Sequence, residues 1–125
     1  MRRGVYLGTH AEVKNSDVGA HTQLSHFSCL LDSDVGEGVN FSAGAVTCNY
    51  DGEAKHRIVI EDSVFVGSDV MLIAPLHIGR GAYLAAGSVI NKDVPAGALA
   101  VERGEQHNVP GWAERRRLAR QAESA

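Results

Sequence analysis

The sequence predicts a parallel β-helix, an all-β prism of stacked triangular coils, and three observations predict it. Branched aliphatic residues recur about every six positions, glycine is abundant, and aromatic side chains are few. Leu7, Val13, Val18, Leu24, Leu30, Val35 and Phe41 form a first run, spaced 6, 5, 6, 6, 5 and 6 residues apart. After an interruption, Ile60, Val66, Leu72, Ile78, Leu84 and Ile90 continue it at intervals of six. Four residues after most of these positions stands a second inward group: Ala11, Thr22, Ser28, Val39, Ala45, Val64, Val70, Ala82, Ser88 and Val94. A six-residue phase belongs neither to a helix nor to a straight strand; it requires a strand that turns a corner once per unit. The 14 glycines in 125 residues suit such corners. Three units close one coil, and about five coils at the ~4.8 Å strand spacing make a prism ~24 Å tall. Periodicity leaves the hand open, while the general rule for parallel crossovers favours a right-handed turn.

The elements follow in order. Residues 1–97 are assigned to the prism and residues 98–125 to a C-terminal tail, within a single folding unit. The prism is interrupted by a polar loop at 48–57, Cys48-Asn49-Tyr50-Asp51-Gly52-Glu53-Ala54-Lys55-His56-Arg57. A polar loop thrown from a rigid scaffold is where function tends to collect. Pro95-Ala96-Gly97 ends the repeat, and Trp112 to Glu123 reads as a short helix after Pro110-Gly111. Its Arg115, Arg116, Arg117 and Arg120 read as a solvated face. A hydrophobic share of 44% with only 3 Phe, 3 Tyr and 1 Trp implies a core of small branched side chains. The net charge of −3 gives no basis for binding nucleic acid or an anionic membrane. Cys29 and Cys48 form no CxxC pair, so reduced thiols and a cytoplasmic location are expected. Neither an export signal nor an apolar run of membrane length is visible.

Lys14-Asn15-Ser16, Ser25-His26-Phe27-Ser28, Val35-Gly36-Glu37-Gly38-Val39-Asn40, Ala45-Val46-Thr47-Cys48-Asn49-Tyr50-Asp51-Gly52, Val64-Phe65-Val66-Gly67-Ser68 and Ala85-Ala86-Gly87 together resemble one family. It is the acetyltransferase half of the bacterial bifunctional N-acetylglucosamine-1-phosphate uridylyltransferase/glucosamine-1-phosphate N-acetyltransferase. The resemblance runs from about Gly4 to Trp112, and the Thr-Cys-Asn-Tyr-Asp-Gly loop followed by Lys55 is its most specific part. It implies a left-handed prism, a homotrimer with sites between neighbouring protomers, and acetyl transfer from acetyl-coenzyme A to the amine of glucosamine 1-phosphate, with no metal.

The chemistry asks for a base, since an ammonium nitrogen cannot attack a thioester, and histidine suits the task. The resemblance assigns that role to His26. It places Lys14, Asn40 and Lys55 near the sugar phosphate, and Ala43, Asn49, Tyr50, Ser68, Ala86 and Arg103 at the coenzyme. Short side chains at Ala43 and Ala86 let a pantetheine arm approach a flat face, and Arg103 suits a coenzyme phosphate. Backbone N–H groups of the coil supply oxyanion donors. Bland alternatives stand beside these roles. Asn40 also fits a turn cap, Tyr50 a ring packed on its loop, Lys14, Lys55 and Arg103 ordinary surface charge, and His56 and His77 receive no role.

The chain also departs from the pattern. Few residues precede the first repeat, so uridylyl transfer is not expected, and the arginine of that segment that binds sugar phosphate has only Arg2 and Arg3 near its place. Cys29 stands where the family has a tyrosine, three residues after the histidine. Two further classes are carried: a noncatalytic prism that keeps coenzyme binding, and a zinc enzyme resembling gamma-type carbonic anhydrases, for which His21 and His26 would be ligands.

Overall fold

The computed structural model describes residues 1–124 and shows a three-sided parallel β-solenoid. Its first coil holds β1 (Tyr6–Leu7), β2 (Glu12–Lys14) and β3 (Asp17–Val18). The second holds β4 (Gln23–Leu24), β5 (Cys29–Leu31) and β6 (Ser33–Val35), and the third β7 (Asn40–Phe41), β8 (Val46–Cys48) and β9 (Ile58–Ile60). The fourth holds β10 (Phe65–Val66), β11 (Met71–Ile73) and β12 (Leu76–Ile78). β13 (Tyr83–Leu84) and β14 (Val89–Ile90) follow, then β15 (Leu99–Ala100) and the helix α1 (Trp112–Ser124). The strands stack into three sheets: A is β1-β4-β7-β10-β13-β15, B is β2-β5-β8-β11-β14, and C is β3-β6-β9-β12.

The register explains the six-residue rhythm. Leu7, Leu24, Phe41, Val66, Leu84 and Ala100 face one another across sheet A. Successive coils advance the chain by 17 residues from Leu7 to Leu24 to Phe41, by 25 to Val66 and by 18 to Leu84. The surplus in the third coil is the loop between β8 and β9, so the interruption in the sequence is an insertion at one corner and leaves the stack unbroken. Every predicted ladder residue from Val18 to Ile90 is buried, as are the second inward groups from Thr22 to Val94. Leu7 and Val13 differ: Leu7 is 45% exposed and Val13 half-buried, because the first coil has a neighbour on one side only.

Corners set the rest. At Gly44 (φ 77°) a Cβ would lie 2.0 Å from Asp69 Oδ1, and at Gly67 it would lie 2.6 Å from the backbone nitrogen of Ala86. Other corners place His10, His21, Phe27, Ser63 and Asp69 in the same left-handed region, a conformation that costs a side chain energy. Beyond Gly97, β15 pairs with β13 and adds a sixth strand to sheet A. α1 has no buried residue; Arg116 lies 5.4 Å over the Trp112 ring and Arg117 pairs with Glu114. Among the described residues no helix is long and apolar enough to cross a membrane.

Candidate active site

The corner between sheets A and B carries one column of candidate site residues. Backbone N–H groups tie it together: Gly44 donates to the carbonyl of His26 (3.2 Å), Asp69 to Ala43 (3.0 Å) and Gly87 to Ser68 (2.9 Å). Arg103 Nη1 donates to the carbonyl of Ala86 (2.9 Å). His26, Ala43, Ser68 and Ala86 therefore stand one per coil, and the column from His26 to Ala86 spans three strand spacings, ~14 Å. His26, Ser68 and Ala86 are exposed. The His26 ring enters none of the side-chain hydrogen bonds formed among the described residues. Next to it, the exposed Phe27 ring stacks on His10 at 5.2 Å. Asn40 is half-buried on sheet A, three residues before Ala43 and in register with Gln23 and Phe65.

The corner between sheets B and C carries the second group. In the second coil Asp32 alone (φ 46°) turns this corner, and Asn15 Nδ2 donates to its Oδ1 at 2.6 Å. In the third coil the loop replaces that single residue. Asn49 is buried at its root, with Nδ2 donating to the carbonyls of His56 (2.9 Å) and Asp32 (3.4 Å), while its buried Oδ1 has no partner among the described residues. Tyr50 pairs with Lys55 across the loop as an antiparallel bridge, and its hydroxyl donates to the carbonyl of Gly52 (2.8 Å). Arg57 closes the loop on Asp34 (2.9 Å) and on the carbonyl of Asn15 (3.4 Å). A cavity of about 280 Å³ opens between Lys14, Thr47, Asn49, Tyr50 and Lys55.

Asp51 is the lock of this loop. Its Oδ1 accepts from the N–H groups of Ala54 and Glu53 (both 2.8 Å), and its Oδ2 meets His56 Nε2 at 2.7 Å. Those backbone donors first, then His56, hold the Asp51 carboxyl well below the usual carboxylate range. A depressed folded pKa contributes stability that is complete above the unfolded value of about 4 and is lost as pH falls through the folded one. Hydrogen exchange should thus show the Glu53 and Ala54 amides protected at pH 6 and losing protection only in strong acid. Asp51→Ala should remove that protection at every pH. The place of His56 five residues after Asp51, across a four-residue turn, is the sequence signal for this contact.

The expected site residues thus fall on two corners of one chain, separated by the width of sheet B: His26, Ala43, Ser68, Ala86 and Arg103, with Asn40 alongside, and Lys14, Asn49, Tyr50 and Lys55. Cys29 lies on the outer face of sheet B, opposite Glu12 and Val46; burial pushes its thiol up, with Glu12 and Cys48 adding. His21 sits at the far end of β4 from His26, on the corner between sheets C and A. The described residues contain no group of three or more His, Cys, Asp or Glu side chains able to hold a metal.

The pattern of the Bacterial transferase hexapeptide (six repeats) family matches residues 57–92. The chain is 50% identical over 115 residues to the bifunctional protein GlmU of Thermodesulfovibrio yellowstonii, covering 92% of this chain and 25% of that protein. To the bifunctional protein GlmU of Thermobifida fusca it is 50% identical over 111 residues, 89% of this chain and 23% of the relative. The chain spans about a quarter of the length of these relatives. Among solved structures, a hexapeptide-repeat acetyltransferase of Vibrio cholerae in complex with acetyl coenzyme A aligns at a TM-score of 0.63 with 25% identity, covering 78% of this chain and 65% of that one. The maltose O-acetyltransferase of Clostridium difficile shares the fold at a TM-score of 0.66 and 20% identity, over 78% of this chain and 64% of the other. The solenoid fold and the sequence identity agree: the chain belongs to the left-handed β-helix transferases of the hexapeptide family, as a GlmU-like acetyltransferase domain.

Proposed function

We propose that the chain is an acetyl-coenzyme A-dependent N-acetyltransferase acting on an amino-sugar phosphate, with glucosamine 1-phosphate as the acceptor. The column at the corner between sheets A and B carries this reading: an unencumbered imidazole at one level and small residues at the three levels beyond it. A thioester laid along Ala86, Ser68 and Ala43 ends beside His26. The acceptor nitrogen attacks the thioester carbonyl, and a C–N bond forms as His26 takes the amine proton. Collapse of the tetrahedral intermediate breaks the C–S bond, and the leaving thiolate receives the proton from His26. Backbone N–H groups facing the carbonyl supply the oxyanion contacts.

Lys14 and Lys55 suit the acceptor phosphate, Asn49 and Tyr50 of the loop suit the thioester end of the coenzyme, and Arg103 suits a coenzyme phosphate. A single chain holds Lys14 and Lys55 a sheet's width from its own His26. The corner of one protomer meeting the loop of another would bring them together, which supports a homotrimer with sites at the seams. Lysine at two positions, against one base, fits a dianionic acceptor drawn into the seam.

The test is release of coenzyme A thiol from acetyl-coenzyme A that depends on glucosamine 1-phosphate. Coenzyme binding without turnover on any amino sugar would instead select a noncatalytic assembly module. Cys29, three residues after His26 on the adjoining sheet, leaves a smaller and less polar surface than tyrosine would. Cys29→Tyr should lower KM for glucosamine 1-phosphate with kcat little changed; an unchanged KM would remove Cys29 from acceptor recognition.

A further inference from the structure

We infer that Tyr83, backed by Phe65 and flanked by Leu99, is the surface against which the adenine ring of coenzyme A lies. The inference rests on the coenzyme running along the corner between sheets A and B, as proposed above. The outer face of sheet A presents one column, Tyr6, Gln23, Asn40, Phe65, Tyr83 and Leu99. Beside His26 and Ala43 this column is amide, Gln23 and Asn40; beside Ser68 and Ala86 it becomes aromatic. The Phe65 and Tyr83 rings stack at 5.1 Å and 24°. Tyr83 remains 56% exposed and Leu99 67% exposed.

Length fixes what falls there. The pantetheine arm has about a dozen backbone bonds, the reach of about four extended residues or ~14 Å. Three strand spacings from His26 to Ala86 are the same distance. A thioester at His26 therefore sets the pyrophosphate at the level of Ala86, where Arg103 spends one N–H on the Ala86 carbonyl and keeps others for phosphate oxygens. The nucleoside then lies in the coil of Tyr83 or the one beyond. Only Leu84 and the short Ala85 separate Tyr83 from Ala86, and Leu84 points into the core, so nothing bulky stands between the ring and the corner. A purine is flat, weakly hydrated at its faces and stacks on aromatic rings irrespective of further contacts.

Calorimetric titration of the full chain with adenosine 3′,5′-bisphosphate, which lacks the thioester arm, tests the platform directly. Tyr83→Ala should weaken binding about tenfold while Tyr83→Phe retains it. In acetyl transfer, Tyr83→Ala should raise KM for acetyl-coenzyme A about tenfold and leave KM for acetyl-pantetheine, which has no nucleotide, where it was. The inference is overturned by a wild type that does not bind the bisphosphate, by equal binding in Tyr83→Ala, or by a parallel KM rise for both donors. It is also overturned if Tyr83→Ala changes the oligomeric state, since the ring would then be a contact between copies. Bisphosphate binding sensitive to Tyr83, in a chain that transfers no acetyl group, would sustain the platform and sink the proposed function alone.

Discussion

His26→Ala is expected to lower kcat for the proposed acetylation of glucosamine 1-phosphate by about 10²- to 10⁴-fold and to leave coenzyme A binding unchanged. Both halves of that expectation come from the corner. The His26 ring makes no internal hydrogen bond among the described residues, so its removal orphans nothing. Its carbonyl, which accepts from Gly44, remains in the alanine variant and keeps the column in register. His26 is also outside the set of residues with positive φ, so alanine fits its backbone without strain. What disappears is the imidazole proposed to accept a proton from the attacking amine. Residual turnover comes from binding and the oxyanion contacts, as expected when a single member of a catalytic set is lost. Thiol release by wild type and variant, measured at saturating acetyl-coenzyme A, decides the matter: equal rates would strip His26 of the role, and a parallel loss of coenzyme binding would make it structural.

The prism was legible because its cause is periodic. A branched residue every six positions survives the shortfall of one residue in the early coils, since spacings of 6, 5 and 6 still bring each sheet back into phase after 17. The loop was legible as a break in that period. Its position at one corner was not, because locating it requires the register that makes 25 residues equivalent to 18. The same limit hides the column: His26, Ala43, Ser68 and Ala86 are 17, 25 and 18 residues apart and look unrelated until the insertion is set aside. Corner chemistry was half visible. Gly44 and Gly87 announce left-handed turns, but Phe27 and Asp69 occupy the same column with the same sign of φ and no compositional signal. The placing of the candidate site residues on two corners belongs to the third dimension, and spacing alone gives no hint that Lys14 and Lys55 stand at the other corner of sheet B from His26.

Phe41→Ala destabilises the fold by about 3–5 kcal/mol, whereas Leu7→Ala, at the same ladder position by register, costs a small fraction of that. Periodicity treats the two alike; burial separates them, with Phe41 at 0% and Leu7 at 45% exposure. Phe41 lies between Leu24 and Val66, so its ring covers the coil on either side, and its loss leaves a cavity that two neighbouring coils would have to collapse to fill. In a solenoid each coil touches only its neighbours, and damage at the middle divides the stack where damage at the first coil merely frays it. Against a typical domain stability of about 5–15 kcal/mol, the substitution consumes a large share. Asn40 precedes Phe41 and Ala43 follows two residues later, so the same coil positions part of the candidate site. Urea midpoints for both variants, read with acetyl transfer at rising temperature, should show Phe41→Ala losing activity as it unfolds and Leu7→Ala tracking the wild type. Similar midpoints for the two would mean that the aliphatic ladder is not what holds the coils together.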